Sequence, residues 1–158
     1  MPKHIKSRPP NFYPISENWD IDSFPFYWVS KLYKLYGTKA SRVLAEAGIN
    51  ITQFHILVVL SSTGCLSVSE IAERTSLRLP TVTKALQRLS SIGIVFFSQN
   101  DEDKRKVWVS LSSSGRQTLG ETFSLLDELF LNSYSGFSLR DIERTNSLLQ
   151  KLCENLTK

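Results

Sequence analysis

The hydrophobic pattern changes period within residues 67–111, and this change constrains the fold more than any other feature of the chain. From residue 67 to residue 92, apolar side chains recur at helical spacing. The segments "IVFFSQ" and "KVWVSL" that follow are short apolar runs typical of strands, and the "NDEDKR" between them is a turn rich in Asn and Asp. The pattern therefore predicts two short helices followed by a β-hairpin with a charged tip.

Capping pairs mark several helix starts, because a side chain that accepts from the backbone three residues ahead closes the first turn. The pairs are Asn50 with Gln53, Ser67 with Glu70, and Ser138 with Asp141. A further helix is expected after Ser112, and a long first helix is expected from about Pro25 to Ala47, ended by Gly48. Long helices are thus expected to flank the segment at 67–111.

The second short helix has two distinct faces. Pro80 suits its first turn, where no backbone N–H is needed. The positions predicted to be buried are Val82, Ala85, Leu86, Leu89 and Ile92. The positions predicted to face outward are Thr81, Lys84, Gln87, Arg88 and Ser91, which makes that face polar and basic.

Charge is unevenly distributed along the 158 residues, whose formal net charge is +4. Residues 66–111 carry seven Lys and Arg against five acidic residues, whereas residues 112–158 carry five against six. The mild positive balance permits an anionic partner without requiring one, and residues 112–158 are not expected to bind a polyanion.

Enzymatic and metal chemistry find little support in the sequence. No glycine-rich phosphate loop, Gly-x-Ser-x-Gly elbow, His-x-x-x-His pair or Cys-x-x-Cys pair is present, and the two histidines leave few acid–base options. Cys65 and Cys153 have no metal-ligand spacing, and they are interpreted as free thiols of a reducing compartment. We therefore predict a protein that is not an enzyme and has no cofactor.

The N-terminal segment "MPKHIKSRPPNFYP" is basic and rich in proline, which favours an extended arm. It lacks the apolar run of a secretory signal, and the longest apolar stretch, "FHILVVL", is too short to span a membrane. These features predict a cytoplasmic protein with no membrane partner.

Two helices followed by a strand, a turn and a strand predict a mainly α (α+β) winged helix-turn-helix. In that arrangement the second helix enters the major groove of DNA and the hairpin tip reaches the minor groove. A basic face that is merely solvated is the ordinary alternative. A winged-helix module that binds protein instead of specific DNA is another, and both remain open on sequence alone.

The chain resembles the MarR-type transcriptional regulators over residues 24–156, most specifically in "SVSEIAERTSLRLPTVTKALQRLSSIGIV" and "DEDKRKVWVSLSSSGR". The resemblance implies a Pro-rich arm at 1–23, a winged helix-turn-helix DNA-binding domain at 50–115, and a helical dimerisation region formed by 24–49 and 116–158. It also implies a homodimeric repressor that binds a pseudo-palindromic operator in double-stranded DNA and is released by a small molecule, often an aromatic acid.

The resemblance assigns roles to individual residues. Asp103 and Arg105 match the Asp-x-Arg wing motif, in which Arg enters the minor groove and Asp holds the wing. Arg78 replaces the Ser that usually caps the recognition helix. The predicted DNA contacts are Arg78, Pro80, Thr81, Thr83, Lys84, Gln87, Arg88, Asp103, Lys104 and Arg105. In addition, "FSQ" at 97–99 replaces arginines common in the family, so we expect fewer phosphate contacts and a shallow salt dependence of binding.

The effector cleft of the family is apolar with a few polar anchors. Phe26, Trp28 and His55 lie on the first two helices and are candidates for such a cleft, with His55 able to hydrogen-bond a carboxylate. Aromatic residues at helical spacing are more often core residues, so that interpretation stands beside the first. Redox-sensing relatives carry their thiol near the start of the first helix, where this chain has none.

Overall fold

The structure, a computed structural model, describes residues 19–99 and 107–157, which are mainly helical with a small antiparallel sheet. The helices are α1 (Pro25–Glu46), α2 (Ile51–Thr63), α3 (Val68–Thr75), α4 (Leu79–Ser91), α5 (Ser113–Ser133) and α6 (Leu139–Leu156). The strands are β1 (Cys65–Ser67), β2 (Val95–Gln99) and β3 (Val107–Leu111). This order confirms the predicted mainly α (α+β) class with a winged helix-turn-helix.

The chain divides into two compact units, one ending at Arg42 and the other beginning at Val43. In the first unit, a 3-10 turn at Ile21–Ser23 precedes α1 and begins at Asp20, whose carboxylate accepts from the Asp22 N–H at 3.1 Å. The Trp28 indole donates to the Asp22 carbonyl at 2.8 Å and ties α1 to this turn.

The three predicted capping pairs are confirmed as reciprocal capping boxes. At α2, the Asn50 side chain accepts from the Gln53 N–H, and the Gln53 side chain accepts from the Asn50 N–H, each at 3.0 Å. The boxes at α3 and α6 have the same form. At α6, the Ser138 hydroxyl and backbone N–H both donate to Asp141 and hold the pKa of that carboxyl below its ordinary value.

The sheet has the order β1-β3-β2 and contains one strand that sequence reasoning missed. β2 and β3 form the predicted hairpin, in which Phe97 pairs with Val109. β1 is the missed strand, and its Leu66 pairs with Val109 from the other side. Three residues are too few to show the alternation of buried and exposed side chains that marks a strand in a sequence. Only the pairing with β3 identifies β1 as a strand.

The core of the second unit forms where α2, α3, α4 and α5 pack on one another and on the sheet. Its fully buried side chains include Leu57, Leu60, Ile71, Val82, Leu86, Leu89, Val109 and Leu126. The Phe54 and Phe123 rings meet edge to face, with centroids 5.5 Å apart, and join α2 to α5. This packing fixes α4 by its inner face and leaves its outer face to solvent.

Ile92 is a correction to the predicted core, because its side chain is 53% exposed. The helical period ends one residue before Ile92. α4 ends at Ser91, and Gly93 has a φ of +73°, a left-handed conformation that turns the chain toward β2. The Ile92 side chain therefore leaves the buried stripe formed by Val82, Leu86 and Leu89.

No residue of α6, which the structure describes throughout, is buried. Its predicted apolar seam contains the half-buried Ile142 and Leu152 together with the exposed Leu149 and Leu156. Within 19–99 and 107–157, no single helix is both long and apolar enough to cross a membrane, and α1 with α2 reaches that composition only as a bent pair.

Candidate nucleic-acid interface

The α4 outer face is exposed along the whole helix. It consists of Arg78, Pro80, Thr81, Thr83, Lys84, Gln87 and Arg88, and each of these predicted contact residues is exposed. α4 contains no Asp or Glu, so its cationic side chains have no acidic neighbour within the helix. The face thus offers hydrogen-bond donors and positive charge to an anionic surface.

The start of α4 lacks a side-chain cap, as the Arg78 substitution predicted. Arg78 occupies the N-cap with an extended backbone and makes no capping hydrogen bond. Its carbonyl accepts from the Thr81 N–H at 2.9 Å and the Val82 N–H at 3.1 Å, and Pro80 has no N–H to satisfy. The guanidinium is therefore free of a capping role.

A groove of about 400 Å³ separates the start of α2 from one flank of α4. One wall is formed by the N-cap Asn50 with Thr52 and Gln53 of α2, and the other by α4, with Pro80, Thr81, Lys84, Ala85 and Arg88. Both helices belong to the second unit. Sequence reasoning did not join these two sets, since they lie about thirty positions apart and only packing brings them together.

The wing is defined here as β2, residues 100–106 and β3. Its two strands pair as predicted, from Val95 with Leu111 to Gln99 with Val107. The predicted contacts Asp103, Lys104 and Arg105 lie outside the described residues, so their roles remain predictions. Phe97, Ser98 and Gln99 are exposed on β2, at the positions where the family resemblance implies arginines.

Two of the candidate effector residues, Phe26 and Trp28, lie on α1 in the first unit. Their side chains are 44% and 46% exposed. Lys31, which sequence reasoning missed, places its Nζ 5.0 Å from the Trp28 ring centroid and 5.4 Å from that of Tyr27. The spacing of three and four residues is the signal that identifies this cation–π cluster in a sequence.

His55, the third candidate, lies on α2 in the second unit and is half-buried beside the Phe54 ring. Burial lowers the pKa of its imidazole below the ordinary value of 6.5. The neutral form is therefore favoured near neutral pH, and it presents a hydrogen-bonding group rather than a cation to any ligand.

Acid is expected to destabilise the protein partly through His55. The unfolded chain binds a proton near pH 6.5, whereas the folded chain binds it at a lower pH, so stability falls as the pH drops below 6.5. The measurement is urea unfolding at pH 7.5 and pH 5.5. His55→Gln should lose less stability than the original protein between these values, and an equal loss would contradict this account.

Cys65 and Cys153 are both free and exposed, on β1 and α6 respectively. Within 19–99 and 107–157, no group of three or more His, Cys, Asp or Glu side chains is placed to hold a metal ion.

The chain is similar in sequence to HTH-type transcriptional regulators of bacteria. Residues 49–107 match the model of the MarR family. The chain is 28% identical over 143 residues to the HTH-type transcriptional repressor IacR of Pseudomonas putida, covering 90% of this chain and 86% of the relative. It is 30% identical over 100 residues to the uncharacterized HTH-type transcriptional regulator YwhA of Bacillus subtilis, covering 58% of this chain and 72% of the relative.

Solved structures agree with this placement. A mutant MarR from E. coli complexed with operator DNA has a TM-score of 0.64 and 25% identity, covering 78% of this chain and 92% of that one. NadR in complex with 4-hydroxyphenylacetate has a TM-score of 0.73 and 22% identity, covering 79% and 89%. The fold, the motif at 67–115 and the sequence relatives agree, and the chain belongs to the MarR family of HTH-type transcriptional regulators.

Proposed function

We propose that this protein is a repressor that binds a pseudo-palindromic operator in double-stranded DNA by placing α4 in the major groove. The observation that carries the proposal is the α4 outer face, which is exposed, basic and without an acidic residue. A recognition helix needs such a face, because phosphates and guanine edges both accept hydrogen bonds from Lys and Arg. The E. coli relative bound to operator DNA and the repressor IacR support it.

The wing contributes the second contact in this proposal. Pairing of β2 with β3 places Gln99 opposite Val107. Asp103, Lys104 and Arg105 then act as the resemblance implies, with Arg105 in the minor groove and Asp103 holding the wing. The exposed "FSQ" of β2 adds no cation, which supports a shallow salt dependence.

A homodimer completes the proposal, since two symmetric half-sites require two recognition helices about 34 to 36 Å apart. The apolar seam of α6 supports it, because Leu149 and Leu156 are exposed in the single chain. Residues 24–49 and 116–158 form the dimerisation region and residues 50–115 the DNA-binding domain. Because such a protein acts on the bacterial chromosome, it works in the cytoplasm.

A small aromatic acid is the proposed releasing ligand. The exposed Phe26 and Trp28 rings offer apolar contacts, and Lys31 supplies a cation for a carboxylate. His55 belongs to the second unit and is a separate candidate, whose neutral imidazole is a hydrogen-bonding group rather than a cation. NadR bound to 4-hydroxyphenylacetate shows that a similar fold accepts such a molecule. Release requires that the ligand bind the DNA-free conformation more tightly than the DNA-bound one.

Lys84→Ala tests the proposal. A duplex is first selected from a random pool with the original protein, and its affinity is then measured by fluorescence anisotropy over a series of salt concentrations. We expect Lys84→Ala to weaken binding about tenfold and to make the salt dependence shallower by about one contact, because one cation is lost from the interface.

Lys151→Ala is the matched control, because it removes the same charge from the polar side of α6 and should leave affinity unchanged. If no duplex is enriched even at low salt, the winged-helix module that binds protein becomes the better reading. A steep salt dependence in the original protein would contradict the expected scarcity of phosphate contacts.

A further inference from the structure

The first turn of α4 carries an exposed leucine within an otherwise polar and basic surface. Leu79 lies between Pro80 and Arg78, the N-cap residue that makes no capping hydrogen bond. The Leu79 side chain is 49% exposed. A Ser, Thr, Asp or Asn in place of Arg78 would stabilise the start of α4 by accepting a hydrogen bond from a backbone N–H of its first turn. The chain instead places a cation and an apolar side chain there, and local rules are broken in this way mainly at functional sites.

Thr83 extends this apolar spot by one helical turn. It lies four residues after Leu79, so both side chains share one face of the helix. The Thr83 hydroxyl donates to the Leu79 carbonyl at 2.9 Å, and its proton is thereby committed within the helix. While the hydroxyl makes this bond within the helix, the methyl group is the part of the Thr83 side chain that serves apolar contact.

The spot formed by Leu79 and Thr83 lies on a different flank of α4 from the groove against α2. Thr81, Lys84 and Arg88 line that groove, whereas Leu79 and Thr83 do not. One flank of α4 is therefore cationic and suited to phosphates. The other flank carries Leu79 and Thr83, followed one turn later by the uncharged Gln87, so it offers no cation to phosphates or to guanine.

We propose that Leu79, together with the methyl group of Thr83, contacts the 5-methyl group of a thymine in each operator half-site. Thymine presents the one apolar group on the major-groove edge of the four bases, so it is the base that this spot can select. The inference rests on the proposed function, because it requires α4 to lie in the major groove. It adds Leu79 to the expected contacts as a residue that determines specificity.

Replacing thymine by uracil in the selected duplex removes the methyl group and nothing else. Each thymine of one half-site is replaced in turn, and affinity is measured by anisotropy. We expect one replacement to weaken binding by the original protein about fourfold, the effect of one lost apolar carbon. With Leu79→Ala, the same replacement should change affinity less than twofold.

Ile92→Ala is the matched control, because Ile92 is an apolar side chain of similar exposure at the other end of α4. This variant should keep the full sensitivity to uracil. Failure to enrich any duplex would refute the proposed function itself. A duplex that binds well but responds to no uracil, or that responds equally with Leu79→Ala, would overturn the thymine contact alone.

Discussion

Replacing Gly115 with alanine is expected to destabilise the protein by about 3 kcal/mol, because the added methyl group has no space. A Cβ at this position would overlap the Ile94 carbonyl oxygen and lie 3.1 Å from its carbonyl carbon. Neither partner can move freely. The Ile94 oxygen accepts from the Ser112 N–H at 3.0 Å, and the Gly115 N–H donates to the Ser112 hydroxyl at 2.9 Å.

The same contacts explain why the loss extends beyond one residue. The Ser112 hydroxyl also donates to the Gly93 carbonyl at 2.6 Å, so the start of α5 is bonded to the turn that leads into β2. A displaced α5 therefore disturbs the wing and the end of α4 together. Urea unfolding measures the loss, and DNA affinity is expected to fall with it.

Gly120→Ala is the control within the same helix. A Cβ at Gly120 has nothing within 4 Å apart from its own helix, and alanine is the better helix former by about 0.5–1 kcal/mol. This variant should be slightly more stable than the original protein. Similar destabilisation by both substitutions would show that the contact with Ile94 is not the cause.

Leu149→Glu is expected to weaken the proposed dimer about 100-fold, since it buries a carboxylate in the apolar seam of α6. Leu149 is 37% exposed in the single chain, so the substitution should leave the fold of one subunit intact. Analytical ultracentrifugation measures the dissociation. Operator affinity should fall as well, because a single subunit reads one half-site.

Ser147→Glu adds the same charge two residues away from Leu149. Residues two positions apart in a helix are rotated by about 200°, so Ser147 lies on the opposite side of α6. This control should remain dimeric and bind DNA normally. Were Leu149→Glu to sediment as a dimer with unchanged operator affinity, the seam would not be the interface, and the proposed dimerisation region would need another surface.

The helix boundaries were predictable because the signals that set them are local. A capping box joins residues three positions apart, and the box at Ser67 and Glu70 formed as expected. The stripe of Val82, Leu86 and Leu89 likewise follows from the period of a single helix. The exception is Ile92, which lies just after the end of α4 and next to the left-handed Gly93. The helical period no longer predicts which side chains are buried there.

Non-local features were missed for the opposite reason. β1 is a strand because Leu66 meets Val109 more than forty positions later, and its own three residues show no pattern. The groove beside α4 includes Thr52 and Gln53 of α2, which no spacing connects to Lys84. The carbonyl of Ile94 against Gly115 likewise follows from tertiary packing alone.

By itself the sequence determined the succession of elements, the two faces of α4 and the family, since periodicity, caps and motifs act within a few residues. Tertiary structure alone decided which flank of α4 faces α2 and which leaves Leu79 and Thr83 to solvent. It also decided that, among the described residues, Leu149 and Leu156 of the apolar seam of α6 stay exposed. Burial depends on elements far apart in sequence, so a residue's own neighbourhood cannot specify it.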